Sequence, residues 1–141
     1  MEAFEQKVRD SFKRQLFMSL IEAEMVSVGR GKVEIRFPFH SKLTQQNGFV
    51  HAGAITSIMD SACGYAALSV APREADVLSV EFKVNLLVPA VGESFVARAL
   101  VKRAGRTLAV CTSDAFALAA GKEKLIATML ATIMNLDRKS A

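Results

Sequence analysis

Apolar residues recur along this chain with two distinct periods, and the switches between them mark its elements. Phe4, Val8, Phe12 and Leu16 fall four residues apart, with Glu2, Glu5, Lys7, Arg9, Lys13 and Arg14 between them. That spacing predicts an amphipathic helix packed on the body of the domain. Its polar face carries both signs of charge, which argues against a membrane-surface helix. Leu20 to Val28 and Lys32 to Phe37 follow, separated by Gly29-Arg30-Gly31. In the second run Val33, Ile35 and Phe37 alternate with Lys32, Glu34 and Arg36, which predicts a β-hairpin with one solvated face, limited by Pro38. Phe39 to Val50 is then a polar connection rich in Gln, Asn and Gly. A connection of about a dozen residues in so short a chain is usually functional when it is ordered.

From His51 to about Val70 the period returns to that of a helix. Ile55, Ile58, Met59, Ala62, Cys63 and Ala66 form one apolar stripe, and Gly53, Ser57, Asp60 and Gly64 lie on the other side. With no lysine or arginine in it, this helix should be buried against a sheet and closely approached on its small-residue face. After Ala71-Pro72-Arg73 the pattern becomes that of strands. Leu78, Val80, Phe82, Val84, Leu86 and Val88 alternate along a run ending at Pro89, and Ser94 to Lys102, Thr107 to Leu118 and Lys124 to Ile133 are further strands. Their short turns leave no room for crossover helices, so an antiparallel meander is expected rather than a parallel sheet. The fold class is α+β, long antiparallel strands around one buried helix. Residues 1–19 form the N-terminal helix, 20–136 the main domain and 137–141 a short charged tail expected to fray.

Composition narrows the function classes. At 141 residues, 51% hydrophobic and 23% charged, the chain has the balance of one globular domain. It has no apolar run long enough to cross a bilayer, and no transit segment or signal core at its start. Cys63 and Cys111 read as isolated buried thiols, with a disulfide as the alternative, and they favour the cytoplasm. A net charge of +4 argues mildly for anionic partners, but the basic residues are scattered and no nucleic-acid-binding motif is present.

Candidate chemistry is concentrated in one block. His40 and His51 are the two histidines, too few for a three-histidine metal site, and His51 and Asp60 lie nine residues apart rather than three or four, so no metal is expected. No serine elbow, phosphate loop or dinucleotide-binding glycine motif occurs. What remains is Gln45 through Ala54, followed on the helix by Asp60. A polar loop feeding a small-residue helix start exposes unpaired N–H groups with a favourable dipole, able to hold a developing oxyanion. Asp60 has no basic neighbour in the helix and could act on a water. Each feature has a structural alternative: a carboxylate satisfying a subunit seam, a capping histidine, packing glycines at Gly53 and Gly64. Spacing alone therefore reaches a ligand pocket at a helix start.

The segment Asn47-Gly48-Phe49-Val50-His51-Ala52-Gly53-Ala54-Ile55-Thr56-Ser57-Ile58-Met59-Asp60 resembles the signature of hotdog-fold acyl-CoA thioesterases, most closely the phenylacetic-acid-degradation (PaaI-like) branch. Leu78 through Ala90 resembles that family's long third strand with its terminal proline-alanine, and Gly92-Glu93 fits the turn after it. The order of elements agrees from about Leu20 to Ile133. The resemblance implies a hotdog fold and hydrolysis of small or medium aryl or aliphatic acyl-CoA thioesters. The Ala52 N–H would polarise the carbonyl, and Asp60 of a partner subunit would be general base or nucleophile. His51 would orient the loop and Ser79 would place the water. It also implies a homodimer as catalytic unit, commonly doubled into a homotetramer, with no cofactor. Two departures stand out: Ala52 replaces the usual second glycine, and Gln45 replaces an asparagine six residues before the histidine, as a candidate water- or carbonyl-positioning group.

Asn47, Gly48, Phe49, Gly53, Met59, Tyr65 and Leu68 are candidates for the pocket lining. For coenzyme A phosphates the expected cations are Lys102, Arg103 and Arg106 in one strand turn, with Arg73 after the helix, near the pocket mouth. A solvated basic hairpin is the alternative there. Two rival functions use the same pocket: a non-catalytic acyl-CoA or lipid-acid binding protein, and a hydroxyacyl-thioester dehydratase, disfavoured because that branch's histidine arrangement is not evident.

Overall fold

The computed structural model describes residues 1–137. The tail expected to fray lies, beyond Asp137, outside the described residues. In chain order the elements are α1 (Ala3–Arg14), α2 (Leu16–Leu20), β1 (Glu24–Gly29), β2 (Lys32–Pro38), a one-turn 3₁₀ helix (Ser41–Leu43), α3 (Ala52–Val70), β3 (Ala75–Leu86), β4 (Ser94–Ala104), β5 (Leu108–Ala119) and β6 (Lys122–Asp137). Among the described residues the six strands form one antiparallel sheet in the order β1-β2-β4-β5-β6-β3, curved around α3. This is the hotdog architecture. No helix is long and apolar enough to cross a membrane among the described residues.

Every member of the predicted stripe on α3 is buried, with Ile58, Met59, Ala62, Cys63 and Ala66 at 0% exposure. The sheet's inner face meets that stripe with Ile35, Phe37, Phe95 and Ile133 and with a run of alanines, Ala97, Ala99, Ala115, Ala127 and Ala131. Small strand residues let the sheet close onto the helix, while Phe37 and Phe95, paired across β2 and β4, stack at 5.3 Å beside it. Each fully buried large aliphatic side chain contributes about 1.5–3 kcal/mol through this burial. Ser69 ties the far end of the helix to the β1–β2 turn, its hydroxyl accepting from the Gly31 N–H at 2.7 Å and donating to the Ala66 carbonyl.

The first strand begins at Glu24 rather than Leu20, which closes α2, and β6 runs Lys122–Asp137 rather than Lys124 to Ile133, so Asp137 is paired strand and not tail. Two larger expectations also change. The four-strand meander is a three-strand one, β4-β5-β6, and β3 pairs with the far side of β6 instead of with β4. The Leu87–Glu93 link contains Pro89, which cannot donate to a tight hairpin, and it runs along the sheet ends. Its bonds go elsewhere: the Leu87 N–H to the Ile126 carbonyl at 2.8 Å and the Glu93 N–H to the Leu118 carbonyl at 2.8 Å. The second change is at Leu16. The N-terminal helix ends at Arg14, Gln15 leaves helical geometry (φ −83°, ψ 93°), and Leu16 opens α2 with its side chain 79% exposed. Val8 and Phe12 keep the expected packing role, Val8 fully buried and the Phe12 ring edge-on to Tyr65 at 5.8 Å, while the Phe4 ring lies 4.5 Å under the Arg30 guanidinium.

Cys63 and Cys111 are free and buried on the helix–sheet seam. Burial pushes both thiols up, Cys111 to about 11 and Cys63 further, the latter reinforced by neighbouring Cys111 and Asp60. Since the thiolate is the nucleophile, neither should react in the native state. Native protein at pH 8 is expected to leave a thiol-specific colorimetric reagent untouched, and urea unfolding to release both thiols. Rapid reaction of folded protein would contradict this packing.

Candidate active site

The start of α3 is set by its loop. The Gln45 N–H donates to the Phe49 carbonyl at 2.8 Å, and the Gly48 N–H to the Gln45 carbonyl at 3.0 Å. Gly48 sits at φ +84°, a conformation that suits glycine. The Gln45 side-chain oxygen accepts from the N–H groups of Asn47 (2.5 Å) and Phe49 (3.3 Å), so that oxygen holds the loop together. Asn47 is exposed at the loop tip. The strand-like end of the loop is anchored by the Val50 N–H on the Ala90 carbonyl (3.1 Å) and the His51 N–H on the Leu43 carbonyl (2.8 Å).

His51 is the N-cap of α3, and its Nδ1 accepts from the Gly53 N–H at 2.8 Å. In the neutral ring that acceptor role leaves the proton on Nε2. A side chain at Gly53 would place its Cβ 2.9 Å from Nδ1, so glycine is what lets the cap close. The His51 carbonyl takes the N–H groups of Ala54 (3.0 Å) and Ile55 (3.4 Å). Of the first-turn donors, the Ala52 N–H is left without an acceptor among the described residues. It lies at the positive end of the helix dipole, on the wall of a cavity of about 490 Å³. Phe49, Ile55, Leu86, Val88 and Ile126 give this cavity apolar walls, and Gln45 and Gln46 border it.

Asp60 lines a different hollow, of about 590 Å³, between α3, β3 and the α1–α2 junction. The Ser79 hydroxyl on β3 donates to Asp60 Oδ1 at 2.6 Å. No lysine or arginine pairs with Asp60 among the described residues. Asp60 follows Ala52 by eight residues on one straight helix, which sets them about 12 Å apart along its axis. In one copy the two line separate hollows rather than a common one.

The remaining sequence candidates separate. Tyr65 and Leu68 line the Asp60 hollow and Phe49 the other cavity, whereas Asn47, Gly48 and Gly53 line neither, and Met59 is sealed in the core. Lys102, Arg103 and Arg106 were expected near the pocket mouth. Their turn instead flanks the C-terminal end of α3, and Arg73 follows that end, about 27 Å of helix from Ala52. They do not meet the Ala52 cavity of their own protomer. Sequence reasoning missed Arg14, Gln15 and Asp76 beside Asp60, because nothing local in an N-terminal helix signals that its end will close a hollow on α3. Residues that could hold a metal do not cluster among those described.

Comparison with known proteins gives the family and the fold. Residues 47–123 match the thioesterase superfamily. A thioesterase family protein from Silicibacter pomeroyi is 52% identical, with a TM-score of 0.94 over 96% of this chain and 99% of that one. A protein of Halobacterium salinarum, provisionally named an esterase, is 33% identical over 66% of this chain, and the match spans 64% of that relative's length. The Escherichia coli PaaI protein of the phenylacetic acid degradation operon shares the fold, with a TM-score of 0.85 over 94% of this chain and 93% of that one at 15% identity.

The cap geometry has a measurable consequence. His51→Ala leaves the Gly53 N–H unpaired and is expected to cost about 0.5–2 kcal/mol in urea unfolding. His51→Asn, whose amide oxygen can cap in its place, should recover most of that loss. An unchanged midpoint for the alanine variant would show that the cap is not holding the helix start.

Proposed function

The chain belongs to the thioesterase superfamily, whose reaction is acyl thioester hydrolysis, and we propose that its substrates are small or medium acyl-CoA thioesters. The observation that carries this reading is the Ala52 N–H, unspent at the start of α3 and facing a cavity. In the proposed reaction a thioester carbonyl oxygen accepts from that N–H. Asp60, held at Oδ1 by Ser79, takes a proton from a water whose oxygen attacks the carbonyl carbon. Direct attack by Asp60, through an anhydride that water then opens, gives the same products. The oxyanion is stabilised at Ala52, the C–S bond breaks, and the thiolate takes up the proton, releasing coenzyme A and a carboxylic acid. A thiolate leaves readily, so a base and an oxyanion donor suffice.

The separation of donor and base along α3 supports a site shared between two copies. A two-fold axis with the helices antiparallel sets Ala52 of one copy opposite Asp60 of the other. The exposed apolar residues of edge strand β3, among them Leu78, Val80 and Leu86, supply a surface for such pairing. The dimer is the proposed catalytic unit, doubled into a tetramer. Arg73, Lys102, Arg103 and Arg106 enter this proposal as coenzyme A contacts only from another copy. The motif around His51 supports the phenylacetic-acid branch, and two unpaired thiols support a cytoplasmic setting.

Two variants test the reading together. Ala52 is the first helical residue, where proline is tolerated, and His51 already has the extended geometry (φ −59°, ψ 137°) that precedes proline. Ala52→Pro thus removes the N–H and keeps the helix; it should lower kcat for thiol release by about 10²–10³. Asp60→Asn should lower it by at least about 10² with an unchanged urea midpoint. Mixed after unfolding and refolding, the two inactive variants should recover about a quarter of wild-type activity, because one site in each mixed dimer regains both groups. No recovery on mixing would place both groups of each site in one copy. Absence of thiol release by the wild type across straight-chain, branched and aryl acyl-CoA esters would overturn the hydrolytic reading.

A further inference from the structure

We propose that the break between α1 and α2 selects the acyl group: Arg14 and Gln15, together with Tyr65, recognise a neutral oxygen, hydroxyl or keto, carried on the acyl chain beyond the thioester carbonyl. This rests on the hydrolytic reading above and names the substrate class it favours. The starting observation is that the hollow containing Asp60 and Ser79 is walled on one side by the end of α1, not by α3 and β3 alone. Gln15 stands at the break itself. Its side-chain oxygen accepts from the Ser61 hydroxyl at 3.0 Å, one residue beyond Asp60, which leaves its amide NH₂ without an acceptor among the described residues. Arg14 lines the same hollow, is exposed, and makes no ion pair among the described residues. Tyr65 is 7% exposed, yet its hydroxyl has only a long 3.5 Å bond, donated by Ser11. Tyr65 lines the hollow with no acceptor for its phenolic hydrogen among the described residues, so an oxygen brought in by a ligand can take that role.

Three donors thus converge on one space. Tyr65 follows Asp60 by five residues, placing them about 7.5 Å apart along the helix axis, within reach of a medium acyl chain whose carbonyl lies at Asp60. Charge decides which oxygen fits. Arg14 shares the hollow with two carboxylates, Asp60 and Asp76, which outnumber it, so a third, on the substrate, would be repelled. A hydroxyl or keto oxygen accepts the same hydrogen bonds without that penalty. The inference assigns this hollow to the acyl arm, which runs from the carbonyl at Asp60 past Tyr65 towards Arg14 and Gln15. The pantetheine arm must instead reach solvent, and the Ala52 cavity, bordered by the exposed Gln46 and Pro89, offers that route.

The test is a set of four coenzyme A thioesters of equal chain length, with the distal carbon unsubstituted, hydroxylated, oxidised to a ketone or carrying a carboxylate. The wild type should hydrolyse the hydroxyl or keto member with kcat/KM at least about tenfold above the unsubstituted one, the carboxylate showing no such gain. Arg14→Ala and Gln15→Leu should each bring that ratio towards one; Arg14 is exposed, and its variant should retain the wild-type urea midpoint. A wild-type preference for the unsubstituted or the carboxylate member overturns the inference. So does a ratio that survives both variants. A rise in KM shared equally by all four esters also overturns it, assigning the hollow to the pantetheine arm. Failure to hydrolyse any of the four in a wider panel that also shows none would instead remove the hydrolytic reading, and this inference with it.

Discussion

Burial of one uncharged face of α3 inside a curved sheet is the constraint on which the rest of this structure depends. The helix offers aliphatic side chains at Ile55, Ile58 and Met59, and the strands answer with alanines, so backbone and helix approach closely enough to exclude water. The sheet has to bend to follow the cylinder. Bending carries β3 to the far edge beside β6 and sends the Leu87–Glu93 link along the strand ends, where Ala90 anchors the loop that precedes the helix. Core packing and placement of the candidate site are therefore one event.

The same burial determines what the helix leaves available. Its first turn cannot lie in the core, because its N–H groups need acceptors. His51 and its carbonyl satisfy three of them, and Gly53 makes the side-chain cap sterically open. Ala52 keeps an unpaired donor in a walled cavity. Asp60, at mid-helix, is the one carboxylate on a helix otherwise free of charged residues, and Ser79 on β3 holds it. The helix sets the two groups about 12 Å apart along its axis and in separate hollows, and the proposed two-copy site would join them. The unprotected edge of β3 lies on the element that carries Ser79, which couples assembly to the chemistry proposed here.

Much of this was legible in the residue pattern. The apolar stripe of α3 and its boundaries, the presence of the N-terminal hairpin, and β4 and β5 to within two residues follow from periods of 3.6 and 2 that each segment carries within itself, whereas β6 is six residues longer than its pattern suggested. His51 at the helix start and Asp60 on the small face were visible for the same reason. Met59 shows the limit: its position near Asp60 in sequence suggested a pocket wall, but the side chain points into the stripe and is sealed. Leu16 shows another. Four-residue spacing continued the first helix through it, whereas a bond from Ser61, far along the chain, favours ending the helix at Gln15.

By itself, then, the sequence determined the main elements, the buried helix face, the loop that feeds it, and the motif that resembles hotdog thioesterases, but not the short α2 and 3₁₀ turns. Tertiary structure alone decided which strand neighbours β6, which end of α3 the basic turn flanks, and that Arg14 and Gln15 stand beside Asp60. The physical reason is range. Backbone hydrogen bonds within a helix or hairpin and side-chain alternation are set within a few residues. Strand order and the walls of a hollow are set by how a curved sheet closes over a helix, and that depends on the volumes of residues distant in sequence summed across the whole core.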